Sequence, residues 1–327
     1  MPQTREHLEI CELLRVKQGL VVLTKVDLVE PDWLELVEEE VREALKGTFL
    51  DGAPIVSFSA VTGAGKENLL ATLAALAADV PPKPVTGIFR LPIDRVFTIK
   101  GFGTVVTGTA ISGRVKVAES VVIYPPGFKA KVRGLQVHGQ AVETALAGNR
   151  TAVNLQGLEK EELERGMVVA PPGALIKSRR LDAYLEILPS APRPLKHRQA
   201  VRLHTGTSER VAMPLILDAD EMAPGSSGYV QFFLREPLAL KPGDRIVIRS
   251  FSPAFTWGGG LVLHVNPTRH KRRNPEVLAR FEILEKGSPE DILRLYLSEA
   301  GAAGRSRAEL TALLPWDPGE LANRLNA

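Results

Sequence analysis

The stretch Thr24-Lys25-Val26-Asp27 sets a lysine and an aspartate two residues apart at the end of an apolar run, residues 20–23. A carboxylate in such a loop can accept hydrogen bonds from the ring N–H and exocyclic amine of guanine, donors that adenine does not offer on that edge. A bidentate base contact of this type discriminates by about 1–3 kcal/mol. The lysine stem can lie over the base while its charge reaches water. Taken alone, the four residues are equally well a solvated turn with Asp27 as its cap. A second loop shifts that balance: Ser59-Ala60-Val61-Thr62-Gly63 follows the next apolar run, residues 54–58. Loops at the carboxyl ends of neighbouring parallel strands gather at one rim of a sheet, so a backbone N–H of the Ser59-Ala60 turn can meet the guanine carbonyl. The candidate guanine-binding residues are Thr24, Lys25, Asp27, Ser59 and Ala60.

The elements that must carry these loops follow from apolar spacing. Leu8, Cys11 and Leu14 predict a helix over residues 4–17, stopped by Gly19. Residues 20–23 read as a buried strand, Pro31-Asp32 opens a second helix, residues 54–58 form another strand, and residues 66–78 a third helix. The alternation is part of a parallel, doubly wound α/β sheet. At Val80-Pro81-Pro82-Lys83-Pro84 consecutive prolines exclude helix and stiffen the link, marking a domain boundary. From Gly87 to about Ile248 short β-branched runs alternate with turns such as Ser112-Gly113, Pro125-Pro126-Gly127 and Pro242-Gly243-Asp244. That pattern predicts antiparallel β-barrels, too long for one and plausibly joined near residues 176–181. Helical periodicity returns from Pro275. The expected division is residues 1–80 (half of an α/β domain), 81–175 and 176–268 (two barrels), and 269–327 (a partial helical domain).

Composition limits the function classes. The 327 residues carry 44% apolar and 24% charged side chains and a net charge of +3, so a nucleic-acid argument must rest on local patches. The sequence shows no signal peptide and no long apolar run, which reads as neither secreted nor membrane-spanning and points to the cytoplasm. The single cysteine, Cys11, excludes an internal disulfide and is expected as a buried, inert thiol on a helix face. His7, His138, His197, His204, His264 and His270 lack metal-ligand spacing, so no protein-bound metal is expected. Two look-alikes are set aside. Gly63-Ala64-Gly65-Lys66 resembles the end of a phosphate loop, but Ala60 and Glu67 stand where Gly and Ser or Thr are required. Gly101-Phe102-Gly103 lacks the third glycine of a dinucleotide fingerprint, since Val106 stands there, and reads as a β-turn.

The run Arg90-Leu91-Pro92-Ile93-Asp94-Arg95-Val96-Phe97, followed by residues 98–109, closely resembles the opening of the second domain of translational GTPases. The Ile-Asp-Arg form, together with residues 148–155 and Leu263-His264-Val265-Asn266-Pro267, resembles the bacterial selenocysteine-specific elongation factors. The resemblance covers essentially the whole chain. It implies a P-loop GTPase-type domain, two β-barrels and C-terminal winged helices. It also implies GTP or GDP with Mg²⁺ as cofactors. The implied partners are selenocysteinyl-tRNA, the ribosome and an mRNA hairpin, with the factor acting as a monomer. Thr24, Lys25 and Asp27 match the family's guanine-reading motif, with Thr24 where many GTPases have Asn, and Ser59 and Ala60 match its last nucleotide motif.

Asp94, Arg95 and Arg150 match the family's selenocysteine pocket; Val106 stands where some relatives place a histidine. A selenol is largely anionic at neutral pH, so paired arginines can select it over a neutral serine hydroxyl. The alternative reading of these residues is a surface ion pair. Arg269, Lys271, Arg272 and Arg273 are candidate RNA phosphate contacts, or a solvated face. In the family the phosphate loop, the switch threonine and an Asp-x-x-Gly segment precede the point matched by Met1. The resemblance therefore implies a chain truncated at both ends, or a misassigned start codon. It further implies that this chain binds GTP weakly and hydrolyses none, with no catalytic residue of its own. The competing readings are a related translational GTPase handling other aminoacyl- or initiator tRNA, and a nucleotide-independent RNA-binding barrel module.

Overall fold

The structure, a computed structural model, describes residues 2–83, 85–101 and 103–326. Pro84 of the proline link and Phe102 between its two glycines lie outside the described residues, as do Met1 and Ala327. The chain divides into two compact units, Met1–Pro82 and Lys83–Ala327.

The first unit is α1 (Pro2–Leu13), β1 (Val21–Thr24), α2 (Pro31–Leu45), β2 (Ile55–Phe58) and α3 (Lys66–Asp79). Helix α1 stops short of the predicted end at residue 17. Arg15 turns left-handed at φ 57, and the Val16 N–H reaches back to the Cys11 carbonyl, a Schellman-type cap that needs no glycine. Cys11, expected to be buried, is half-buried. Pro31 occupies the first turn of α2, where its missing N–H costs nothing. Strands β1 and β2 pair in parallel, Val21 opposite Ile55 and Thr24 opposite Phe58.

The second unit begins with a closed six-stranded barrel: β3 (Leu91–Ile99), β4 (Gly103–Thr109), β5 (Ser120–Tyr124), β6 (Phe128–Val137), β7 (Arg150–Gln156) and β8 (Val168–Ala170). Their order around the ring is β7-β4-β3-β8-β5-β6, and β6 pairs with β7 to close it. Inward positions such as Leu91, Ile93, Val106, Ile123, Val132 and Val153 fill the interior. The second barrel is β9 (Ile176–Ile187), β10 (Val201–Thr205), β11 (Ser208–Ile216), β12 (Ser227–Leu240), β13 (Arg245–Arg249) and β14 (Thr256–Val265), ordered β9-β12-β11-β10-β13-β14 and closed by β9 with β14. Trp257, Phe232 and Leu203 are among its fully buried side chains. Ring closure leaves neither barrel a free edge.

Four helices follow: α4 (Pro275–Lys286), α5 (Pro289–Ala300), α6 (Arg307–Leu313) and α7 (Pro318–Asn326). Their starts are written in the sequence. Asn274 accepts the Glu276 and Val277 N–H groups, and Ser288 and Ser306 form capping boxes with Asp291 and Glu309. The helices share one core with the outer wall of the second barrel, where Phe281, Tyr296 and Leu314 pack with Leu217, Tyr229 and Leu263. No strand occurs after Val265 among the described residues.

Candidate functional sites

Parallel pairing of β1 and β2 sends residues 25–27 and 59–60 off the same rim of the sheet. Lys25 adopts a left-handed conformation, φ 61 and ψ 34, and starts the short 3₁₀ turn Val26–Leu28 that carries Asp27. The Ser59 hydroxyl, fully buried, donates to Asp27 Oδ1 at 2.5 Å and accepts the Thr62 N–H at 3.2 Å. Below it the Ser59 N–H donates to the Ala64 carbonyl and the Gly63 N–H to the Ser59 carbonyl. Gly65 is required by this packing: at φ +78, a Cβ there would lie 1.9 Å from the Ser57 carbonyl oxygen. The result is a carboxylate held through one oxygen. Thr24, Lys25 and Ala60 are exposed beside it.

On the first barrel, a bulge in β3 places both Asp94 and Arg95 opposite Thr107 of β4. The extra residue re-aims Asp94. Its Oδ1 accepts the Thr107 hydroxyl at 2.8 Å, and the Arg150 guanidinium from β7 donates to both carboxylate oxygens. Arg150 also reaches Thr107 Oγ1 at 3.3 Å. The Arg150 hydrogen bond holds the Asp94 carboxyl below the usual range, against the opposing effect of partial burial, with Thr107 adding to it. Arg95 is exposed at the bulge, and Arg150 keeps 51% of its side-chain surface in water. Close approach of β4 to β3 depends on Gly108, where a Cβ would lie 2.1 Å from the Pro92 carbonyl oxygen. Val106 points into the barrel interior and is fully buried.

The basic run after the second barrel separates into two pairs. Arg272 donates to the Ile216 and Ala219 carbonyls and to Asp220, and Arg273 donates to Asp220. These two arginines pin the connection to the barrel wall. Arg269 and Lys271 are exposed.

Three family descriptions match along the chain: elongation factor Tu GTP binding domain over residues 1–79, elongation factor Tu domain 2 over 103–170, and the β-barrel domain of selenocysteine-specific elongation factor over 183–269. A selenocysteine-specific elongation factor from Desulfomicrobium baculatum is 50% identical over 311 residues, which is 95% of this chain and 49% of that protein. The chain belongs to the selenocysteine-specific elongation factor family. The family member from Escherichia coli K12 is 34% identical over 92% of the chain and 47% of its own length. The crystal structure of bacterial selenocysteine-specific elongation factor EF-Sec superposes with a TM-score of 0.84 at 29% identity, over 97% of this chain and 51% of that one. Translation elongation factor SelB from Methanococcus maripaludis, in complex with the GTP analogue GPPNHP, gives 0.70 at 26% identity, over 81% and 63%. The chain thus spans about half the length of the curated selenocysteine-specific elongation factors it matches.

Sequence reasoning missed three features of this family member. Thr107, the hydroxyl beneath Asp94, is one threonine among several in its strand, and a bulge leaves no compositional trace. Arg90 forms a two-pronged ion pair with Asp244 between the barrels, at 2.8 and 2.6 Å. Asp182, fully buried in β9, accepts from His270 Nε2 and Gln231 Nε2 at 2.9 Å each, with His264 Nδ1 at 3.6 Å. Burial pushes the Asp182 carboxyl up, but His264 and His270 together outweigh it and hold it low. A lone Asp in an apolar strand, Leu181-Asp182-Ala183, was the available signal for that cluster.

Proposed function

We propose that this chain is the tRNA-handling part of a factor that delivers selenocysteinyl-tRNA to the ribosome in a GTP-dependent manner. The observation that carries the reading is the joining of Asp94, Thr107 and Arg150 at a β-bulge with Arg95 exposed next to it. Asp94 neutralises one positive charge and fixes the plane of the Arg150 guanidinium, while Arg95 supplies a second cation. An ionised selenol gains from both arginines; a serine hydroxyl, neutral and of similar shape, does not.

The Asp27 loop would read guanine in the same factor. The Ser59 hydroxyl holds one carboxylate oxygen, and the carboxylate has lone pairs enough to accept from the guanine ring N–H and amine as well. Tight binding and hydrolysis of GTP rely on a phosphate cradle and a Mg²⁺-holding hydroxyl. The 327 residues contain no Gly-x-x-x-x-Gly-Lys-Ser or -Thr run. This chain by itself is therefore expected to bind Mg²⁺-GDP weakly. Contact with an mRNA hairpin would fall to the factor's C-terminal winged helices, of which the helices after Pro275 form only a part. Among the described residues no helix is long and apolar enough to cross a membrane. We take the factor to be a cytoplasmic monomer.

Filter binding of selenocysteinyl-tRNA against seryl-tRNA tests the main reading. A preference of about tenfold or more for selenocysteinyl-tRNA, abolished by Arg95→Ala, is expected, tenfold being worth about 1.4 kcal/mol. Equal affinity for the two would sink it in favour of a general aminoacyl-tRNA factor. Calorimetric titration with Mg²⁺-GDP checks the second statement: submicromolar affinity for this chain would refute it.

A further inference from the structure

Asp94 has two arginines within its reach. On a regular strand neighbouring side chains point to opposite faces, but the bulge in β3 sets Asp94 and Arg95 together opposite Thr107. Arg95 acts on the Asp94 carboxyl through space without a hydrogen bond to it. The carboxylate gives both its oxygens to Arg150 instead, which reaches across β4 from β7. Arg95 stays exposed, with no carboxylate in ion-pair contact among the described residues. Exposed ion pairs are weak, so one further hydrogen bond decides between the two arginines.

Thr107 supplies that bond. Its backbone is held on both sides, paired to β3 and to β7, and its branched Cβ makes χ1 stiff. The hydroxyl donates to Asp94 Oδ1 at 2.8 Å and accepts from Arg150 Nη2 at 3.3 Å, while Nη2 also donates to the same Oδ1 at 3.1 Å. Oγ1, Oδ1 and Nη2 close a triangle in which only the hydroxyl both donates and accepts. An Asp94 turned toward Arg95 breaks two sides of that triangle. The bonds to Asp94 and Thr107 use at most three of the five guanidinium N–H groups of Arg150, so Arg150 keeps donors for a ligand as well.

We propose that Thr107 is a positioning residue for selenol recognition: its hydroxyl commits Asp94 to Arg150 and so leaves the Arg95 charge uncompensated for an anionic side chain. This rests on the selenocysteine reading of the site and adds what that reading leaves open, namely which arginine faces the ligand with its full charge and what holds that choice. Without the hydroxyl, Asp94 divides its charge between Arg150 and Arg95. An ionised selenol then loses much of its advantage, whereas a neutral serine hydroxyl senses little difference.

The test is filter binding of the full chain to selenocysteinyl-, cysteinyl- and seryl-tRNA, for the wild type, Thr107→Val and Thr107→Ser. Valine keeps the branched shape without the hydroxyl, and serine keeps the hydroxyl; circular dichroism and thermal midpoints confirm folding of each. The quantity read is the ratio of affinities within one protein. A merely structural loss weakens all three tRNAs alike and leaves that ratio where it was. The preference of about tenfold for selenocysteinyl- over seryl-tRNA is expected to fall to about twofold or less in Thr107→Val and to return in Thr107→Ser. Cysteinyl-tRNA adds a pH signature. Raising the pH from 7 to 8.5 ionises about half of a thiol, and is expected to raise the cysteinyl-to-seryl ratio about fourfold in the wild type and Thr107→Ser but less than about twofold in Thr107→Val. An unchanged selenocysteinyl preference in Thr107→Val, no recovery in Thr107→Ser, or the same pH rise in all three proteins would each overturn the role of Thr107 and leave the site reading standing. A wild type that prefers neither selenocysteinyl- nor seryl-tRNA would overturn the site reading, and the role of Thr107 with it.

Discussion

The Asp27–Ser59 and Asp94–Thr107 pairs are chemically alike, each an aspartate held by a hydroxyl from the neighbouring strand or the turn just after it, and they stand on scaffolds of opposite kinds. The first rests on two parallel strands of four residues each. In its unit only Leu13 and Val56 are buried apolar side chains among the described residues, while Leu28, Trp33 and Leu70 stay more than half exposed. The second rests on a closed ring whose interior is filled from every strand. Short-range hydrogen bonding can therefore set a carboxylate without a core behind it. What the core adds is persistence: apolar area removed from water contributes about 25 cal/mol per Å², and two short strands with open edges remove little.

Hydrogen exchange puts the contrast at greatest risk. Amides of β1 and β2 are expected to exchange at least about 1,000-fold faster than those of β7 and β9, because sub-global opening scales with local burial. Equal protection in the two units would break the comparison outright.

The next test asks whether polar groups, and not only apolar ones, support the second unit. Asp182→Ala removes the acceptor shared by His270 and Gln231 inside the barrel wall. It is expected to cost about 3–5 kcal/mol, as for one partner lost from a buried pair, read as a drop in the denaturant midpoint of the second unit alone. A change under about 1 kcal/mol would show that the apolar interior suffices.

Lys241 sharpens the same point in the opposite direction. Its ammonium is buried, donates to the Trp316 carbonyl at 3.1 Å, and is pushed down to about 8, by burial first and by the nearby Arg90 second. The folded-state value lies below the unfolded one, so between about pH 8 and 10.5 the unfolded chain binds more protons and stability rises with pH. Lys241→Met is therefore expected to stabilise the second unit at pH 7 by up to about 3 kcal/mol, an advantage that shrinks toward pH 10.5. Thermal melts of the two proteins at pH 7 and pH 10 would show it; a destabilised variant at pH 7 would contradict it.

The smallest effects come from the paired hydroxyls themselves. Ser59→Ala and Thr107→Val are each expected to cost about 1 kcal/mol, the worth of one hydrogen bond to a charged group lessened by exposure. Urea melts should resolve the Thr107 change in a cooperative transition, and blur the Ser59 change in a shallow one.

Much of this was legible in the sequence. Alternating β-branched residues and Pro-Gly turns pointed to barrels, and apolar residues at helical spacing from Pro275 onward pointed to the last helices. The nearness of Asp27 and Ser59 follows from the rule that parallel strands share a rim. Contacts lacking a local period were not legible. Asp182 and His270 are 88 residues apart, and Arg90 and Asp244 are 154 apart. The bulge at Asp94 is invisible because one extra residue changes no composition. The basic run 269–273 shows the converse: five neighbours in sequence, of which the fold turns His270 onto Asp182 and Arg272 onto carbonyl groups while Arg269, Lys271 and Arg273 stay exposed.

The helices after Pro275 pack their apolar faces onto the outer wall of the second barrel, with Leu217, Tyr229 and Leu263 contributed from that wall. Arg272 and Arg273 rivet the intervening segment to the same wall. A pull on α7 is then transmitted into the strands with no slack to take up, so the end of this chain works as a rigid bracket and not as a leash.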